Sequence, residues 1–320
     1  MDDKSRILVT GATGFIGTRL LPAILKNTAC YLTAAVRSQA HFSEPVTVTP
    51  VGELDANTDW YEALQSVDYV IHLAARVHVM NDNSADPLHE FRHTNVEGTR
   101  SFAKQAASAG VKRFIFVSSI KVNGEFTEPG QPFTVQDEPS PKDPYGQSKT
   151  EAEEVLRSIA AETNMEVVII RPPLIYGPGV KANFAAMMNW LNRGIPLPLG
   201  LTENVRSFLA LDNLVDLIIT CLDHPNAANQ TFLASDGEDV STTQLLQKMS
   251  AALGRKARLV PVPPALMRFG AKLARREDIY QRLFGSLQLD ICHTRETLDW
   301  TPPLSLDEGL QQTADAMEKR

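Results

Sequence analysis

Tyr145 and Lys149 stand four residues apart in Tyr145-Gly146-Gln147-Ser148-Lys149, at the start of a helix-like stretch. On a helix that spacing makes them neighbours on one face. A tyrosine hydroxyl ordinarily ionises near pH ~10, and an adjacent ammonium favours the phenolate and lowers that value. A tyrosine so placed can exchange a proton with a hydroxyl or carbonyl at neutral pH. Ser119 lies 26 residues earlier, at the end of a strand-like run, and its hydroxyl is suited to hold the reacting oxygen. Alone, the Tyr-x-x-x-Lys pair reads equally well as a solvated pair on a helix face.

A second pattern precedes these residues. Val9-Thr10-Gly11-Ala12-Thr13-Gly14-Phe15-Ile16-Gly17 follows a first strand and opens a first helix. Glycines at 11, 14 and 17 permit a tight turn, close backbone approach to a phosphate and close helix packing. The helix start, with Phe15 and Ile16, offers free N–H groups and a positive dipole end to a pyrophosphate. This is the context a dinucleotide fingerprint requires. The second strand ends Ala35-Val36-Arg37 and carries no acid for a ribose 2′-hydroxyl. The cofactor is therefore NAD or NADP, with Arg37 tilting towards NADP by pairing with a 2′-phosphate. Glu53 and Leu54, after the third strand, are candidates for the adenine edge.

The elements that must position these groups alternate. Strand-like runs cover 6–10, 31–37, 46–51, 69–75, 113–119 and 166–171, rich in Val, Ile and Leu without polar alternation, as for strands buried on both faces. Helix-like stretches cover 15–26, 59–65, 95–109 and 145–162. The expected fold is α/β, a doubly wound parallel sheet with a smaller mixed C-terminal substrate domain. The domain boundaries read 1–177 for the dinucleotide-binding part, with 206–237 returning to it, and 178–320 for mainly the substrate part. Five prolines between Pro129 and Pro144 mark an extended surface loop. Ligands on such sheets bind outside the carboxyl ends of the strands.

Composition excludes several classes. The 320 residues carry a net charge of −7, without the basic field of a general nucleic-acid binder. No apolar stretch approaches the ~20 residues of a spanning helix, so no membrane insertion is expected, and the polar start reads as lacking a signal peptide. Three scattered cysteines, Cys30, Cys221 and Cys292, fit a reducing cytoplasm rather than a disulfide framework.

With these motifs in hand, the chain resembles the extended short-chain dehydrogenase/reductase family of nucleotide-sugar epimerases, dehydratases and reductases. Thr10 to Gly17 is similar to its TGxxGxxG fingerprint, and His72-Leu73-Ala74-Ala75 to its H-L-A-A strand end. Asn95-Val96-Glu97-Gly98-Thr99 resembles its N-V-x-G-T helix, Arg171-Pro172 and Tyr176-Gly177-Pro178 its later strand, and Trp300-Thr301-Pro302 its C-terminal turn. The resemblance implies Ser119, Tyr145 and Lys149 as the catalytic set. It adds Leu73, Ala74, Ala75 and Pro172 to the cofactor contacts. It implies a UDP-sugar substrate held by Ser119, Asn183 and Arg206, and a homodimer; Lys121 and Arg282 are further candidates for the substrate. Asn183 also reads as an ordinary helix cap and Arg206 as an ion-pair residue, while Arg275, Arg276 and Arg282 are spare candidates for the nucleotide phosphates that read first as solvated arginines.

Ile120-Lys121 stands where dehydratases of the family carry Asp-Glu, so water elimination is not expected. Two stretches, 75–82 and 118–124, resemble the bacterial O-antigen subgroup that includes UDP-glucose 4-epimerase-like proteins and UDP-N-acetylquinovosamine 4-ketoreductases. The expectation is redox chemistry at sugar C4: reduction of a UDP-4-keto-6-deoxy-N-acetylhexosamine first, on the tilt of Arg37, and UDP-hexose 4-epimerisation with tightly bound NAD second. A non-catalytic dinucleotide sensor and a reductase of non-nucleotide carbonyls are more remote. His78 is a candidate sugar contact or a plain loop residue. His89-Glu90-Phe91-Arg92-His93 matches H-E-x-x-H but has no identified third ligand, so no metal is expected. The basic amphipathic stretch 265–276 is expected to pack on the C-terminal domain, a membrane-surface contact being the other reading.

Overall fold

The computed structural model describes residues 4–77 and 86–318. The main sheet uses β1 (Ser5–Thr10), β2 (Cys30–Val36), β3 (Thr47–Pro50), β4 (Tyr69–His72), β5 (Arg113–Val117), β6 (Glu166–Arg171) and β9 (Thr231–Leu233). Their order is β3-β2-β1-β4-β5-β6-β9, and every neighbouring pair is parallel. The order reverses between β1 and β4, and the carboxyl ends of those strands open a crevice. Three further strands, β7 (Leu174–Tyr176), β8 (Arg206–Ala210) and β10 (Asp239–Val240), form a small mixed sheet.

Alternation along β1 shows how the layers close. Ile7 and Val9 face one side with Leu20 and Ile24 of α1 (Gly17–Asn27) and Leu217 and Ile218 of α6 (Leu211–Asp223). Leu8 faces the other, with Trp60, Phe102 of α3 (Thr99–Ser108) and Leu156 of α4 (Pro144–Glu162). Side chains two apart on a strand share a face, so both faces of the sheet are covered. A separate core joins Phe184 and Met188 of α5 (Ala182–Asn192), Leu245, Leu246 and Met249 of α7 (Thr242–Ala252), and Leu310 of α11 (Leu306–Glu318). The C-terminal turn docks on α6, where Trp300 Nε1 donates to Asp216 at 2.8 Å.

Three expectations need correction. Residues 59–65 form an irregular turn, not a helix. Asp59 accepts the Tyr61 amide and Gln105 the Trp60 amide; beyond the single Leu64–Trp60 backbone bond, the Gln65 and Val67 amides reach back only three residues, a turn pattern. The fourth strand stops at His72 and the fifth at Val117, which frees 73–75 and 118–119 to line the crevice. The helix expected over 95–109 starts earlier, as α2 (Pro87–Phe91), a π-helical turn at Arg92–Gly98, and then α3. As expected, the stretch at 265–276 forms a helix, α8 (Pro264–Leu273), that packs on α9 (Glu277–Phe284) of the C-terminal part, with none of its residues fully buried.

Candidate active site

The glycine turn meets the end of β4 backbone to backbone. Gly11 has φ +68°, and a Cβ there would lie 2.8 Å from the Ala74 nitrogen and 2.9 Å from the Leu73 carbonyl carbon. A Cβ on Gly17 would lie 2.4 Å from the Gly11 oxygen. The amide of Gly14 donates to the Gly11 oxygen at 2.9 Å and that of Thr18 to the Gly14 oxygen at 3.0 Å. The amides of Phe15 and Ile16 find no acceptor among the described residues, as expected at a helix start. Leu73, Ala74 and Ala75 line the facing wall, half-buried. The turn, its free amides and the clear backbone approach fit a dinucleotide diphosphate.

His72 fixes this wall from behind. Its Nδ1 lies 2.7 Å from Thr10 Oγ1 and its Nε2 3.0 Å from Thr99 Oγ1, while the Ala74 amide donates to Thr10 Oγ1 at 3.2 Å. Complete burial pushes its pKa down to about 3, with the nearby Lys149 charge adding to the effect. The folded value lies below the ordinary 6.5, so the stability contribution is complete above pH 6.5 and is lost as pH falls through about 3. Thermal melts are expected to drop between pH ~6.5 and ~5, where carboxylates stay ionised. A His72→Gln variant should lose that slope; an unchanged slope would contradict the assignment.

At the other end of the nucleotide crevice, Arg37 stands 3.8 Å from Glu53, both side chains 77 % exposed. A pair this exposed holds neither side chain firmly. Leu54 instead packs on the helix behind: a Cβ on Gly98 would lie 2.8 Å from its Cγ.

The start of α4 is stitched to the end of β5. Asp143 caps the helix, accepting the Gly146 amide at 2.6 Å, and its other oxygen pairs with Lys121. Gly146 lies so close to the 3-10 turn Ile120–Val122 that a Cβ would sit 2.8 Å from the Lys121 oxygen. Ser119 caps that turn, its Oγ accepting the Lys121 amide at 3.2 Å. Lys149 Nζ donates to the Val117 carbonyl at 2.8 Å and lies 3.9 Å from the centre of the Phe116 ring. Ser119, Tyr145 and Lys149 are thus carried on two elements locked together at several points. Pro172 belongs to the same wall, its carbonyl accepting the Ile120 amide at 2.9 Å.

Tyr145 is half-buried, its ring 5.9 Å from that of Phe91. Its hydroxyl has no hydrogen-bond partner among the described residues. Burial, reinforced by the Asp143 charge, pushes its pKa up to about 12. The expected lowering by Lys149 is not seen in the protein alone. The Lys149 ammonium is turned to Val117, and burial pushes its own pKa down to about 7 against the opposing Glu153 charge.

Sequence reading missed the support beneath this set. Glu153, fully buried, accepts from Ser118 Oγ at 2.6 Å and from Arg171 Nε and Nη2 at 3.0 and 2.6 Å. Arg171 also donates to Asn123 Oδ1 at 2.8 Å, and Asn123 to the Thr134 carbonyl at 2.8 Å. Asn95, in the π-helical turn, bonds both backbone groups of Arg76 and Ser148 Oγ. The signal was present: Glu153 continues the 145–149 spacing by four, a charge on a helix face that must otherwise be buried.

The remaining predicted contacts divide. Arg206 donates to the Gly285 carbonyl at 2.8 Å and has no carboxylate partner among the described residues; burial pushes its pKa down to about 10. The ion-pair reading of this residue is therefore not met. Arg282 lies exposed on α9, just before Gly285. Asn183 is exposed at the second position of α5, whose cap residue is Lys181, so it is not the helix cap. Lys121 is held by Glu125 at 3.1 Å as well as by Asp143. His89 and His93 are both exposed, and no group of three metal-ligating side chains occurs among the described residues. His78 lies outside the described residues.

Residues 7–234 match the model of the NAD dependent epimerase/dehydratase family. The chain belongs to that family. Its fold and its glycine turn agree with this membership, which makes NAD the cofactor. Among curated relatives it is 50% identical over 311 residues, 97% of this chain and 94% of the other, to a UDP-glucose 4-epimerase of Vibrio cholerae. It is 30% identical, over 97% of its length and 94% of the relative, to the N-acetyl-alpha-D-glucosaminyl-diphospho-ditrans,octacis-undecaprenol 4-epimerase of Escherichia coli O157:H7. In fold it is similar to the UDP-glucuronic acid 4-epimerase of Bacillus cereus solved with NAD, with a TM-score of 0.79 at 21% identity over 98% of this chain and 96% of that one.

Proposed function

We propose that this family member is a UDP-hexose 4-epimerase, working on UDP-glucose and UDP-galactose or their N-acetylated counterparts. The observation that carries the reading is the 50% identity, along nearly the whole chain, to a UDP-glucose 4-epimerase. NAD, held by the 11–17 turn and the 73–75 wall, supplies reversible hydride acceptance at C4. Tyr145 takes the proton from the 4-oxygen and later returns it, Ser119 holds that oxygen, and Lys149 supplies the buried positive charge beside them. A cleft that lets the keto sugar turn over presents either face of C4 to the same residues. Arg206 meets the diphosphate, an anion being the natural partner for a half-buried guanidinium without a carboxylate; Asn183 and Arg282 flank it.

Reduction of a UDP-4-keto-6-deoxy-N-acetylhexosamine, the first expectation from sequence, uses the same three residues. It rests on Arg37 favouring NADP, a residue whose exposed side chain also stands 3.8 Å from Glu53. The test offers the purified protein UDP-glucose, UDP-N-acetylglucosamine, and a UDP-4-keto-6-deoxy sugar with NADPH. Conversion of either of the first two without added reductant supports epimerisation; NADPH consumption with the keto sugar alone would replace it with reduction. The reading includes a cytoplasmic setting; no helix among the described residues is long and apolar enough to cross a membrane. It also includes a homodimer, checked by sedimentation.

Two variants probe the binding roles. Gly11→Ala places a methyl against the Ala74 backbone in a left-handed conformation, which costs an L-residue about 1–2 kcal/mol. NAD affinity should fall about tenfold in a fluorescence titration; wild-type affinity would remove the turn from the cofactor site. Arg206→Met should weaken UDP binding by about tenfold or more, the scale of one charge-assisted hydrogen bond. Unchanged calorimetric affinity would contradict the diphosphate contact.

A further inference from the structure

Residues 255–276 hold seven basic side chains and no acidic one, in a chain whose net charge is −7. They are Arg255, Lys256 and Arg258 on the loop before α8, Arg268 and Lys272 on the helix, and Arg275 and Arg276 after it. All seven are exposed, and none makes a salt bridge among the described residues. The same helix carries Leu266, Phe269 and Leu273, exposed by 60, 66 and 79%. Their spacing of three and four places them on one face. Met267 and Ala271 are half-buried, so the side leaning on the protein is a different one, and the three large apolar side chains point away from it. Val260, just before the helix, is 44% exposed as well.

We propose that α8 and its preceding loop dock on the surface of an anionic lipid bilayer. An interfacial helix needs an apolar stripe to enter the acyl boundary and flanking basic residues to meet anionic headgroups; Arg268 and Lys272 have the long stems that reach back to them. The other occupants fit less well. A two-fold contact between copies would set this positive patch against itself. A nucleic acid would use the arginines and leave the apolar stripe in water. The docked helix leads into α9, which carries Arg282 and ends at Gly285, the residue bonded to Arg206. Docking would therefore place the substrate side of the molecule at the lipid surface while the chemistry stays soluble. The inference holds whether the site epimerises or reduces.

Vesicle flotation of the full chain tests it, comparing phosphatidylglycerol mixed with phosphatidylcholine against phosphatidylcholine alone. The protein should float with the anionic vesicles only, and added salt should release it as the Debye length shrinks from ~10 Å at 0.1 M towards ~3 Å at 1 M. Leu266→Glu combined with Phe269→Glu should cut the bound fraction about tenfold, with an unchanged melt and unchanged turnover of soluble UDP-sugar. Three results would overturn the proposal: no flotation of the wild type, wild-type flotation of the double variant, or equal flotation with neutral vesicles. A wild-type dimer that the same substitutions split would also overturn it, by showing that a second copy covers the face.

Discussion

Replacing Tyr145 by Phe should lower kcat by about 10²–10⁴-fold, the range for a positioned proton-transfer group, while NAD and UDP-sugar affinities stay near wild type. The hydroxyl has no partner within the described residues, so the substitution breaks no recorded hydrogen bond and the ring can keep its contact with Phe91. The phenol, pushed up to about 12, is protonated at neutral pH in the protein alone. It stands ready to donate, and it becomes a base only when further positive charge arrives. Lys149, pushed down to about 7, loses its charge as pH rises through that value, so the support it gives a phenolate weakens there. Stopped-flow and steady-state assays check the outcome. Retained turnover in Tyr145→Phe would assign the proton transfer elsewhere, and retained biological activity without turnover would favour a dinucleotide sensor.

The second large effect is on stability. Arg171→Met should destabilise the protein by about 3–5 kcal/mol, the usual consequence of leaving one member of a buried ion pair uncompensated. Glu153 is fully buried and the Arg171 side chain is only 3% exposed. Arg157 also reaches Glu153, but its side chain is 46% exposed and screened by solvent. The double variant Glu153→Met with Arg171→Met should recover much of the loss, because both charges leave the core together. Denaturant titrations of the wild type, Arg171→Met, Glu153→Met and the double variant check this, and additive losses would contradict it. The network reaches Ser118 beside Ser119, Asn123 after the 3-10 turn, and the helix face of Lys149, so Arg171→Met should also lower kcat at saturating substrate.

The parts legible from sequence were those with local signatures. The glycine turn announces itself because only glycine tolerates φ +68° with backbone 2.8 Å away. The strands β1, β2, β5 and β6 announce themselves because burial on both faces demands largely apolar runs with few charges. What the sequence concealed depends on contacts made across the fold. The pairing of Glu153 with Arg171 spans 18 residues and the Ser118 contact 35, with no local pattern to mark either. The turn at 59–65 has helix-like apolar spacing because its apolar residues face a core, yet its entry is held by Asp59 and by Gln105 from another element, and its later amides reach back only three residues at Gln65 and Val67. The direction of the Tyr145 shift also lies outside the local pattern, because it comes from burial, reinforced by the capping Asp143, while Lys149 turns to Val117.

The central claim is that C4 is oxidised and then reduced on its other face within one closed site. Its most direct test is incubation of UDP-galactose carrying deuterium at C4 with the purified protein and no added reductant. The account predicts UDP-glucose that retains the deuterium at C4, because the hydride is returned to the carbon it left. Absence of conversion, or UDP-glucose that has lost the label to the medium, would contradict it.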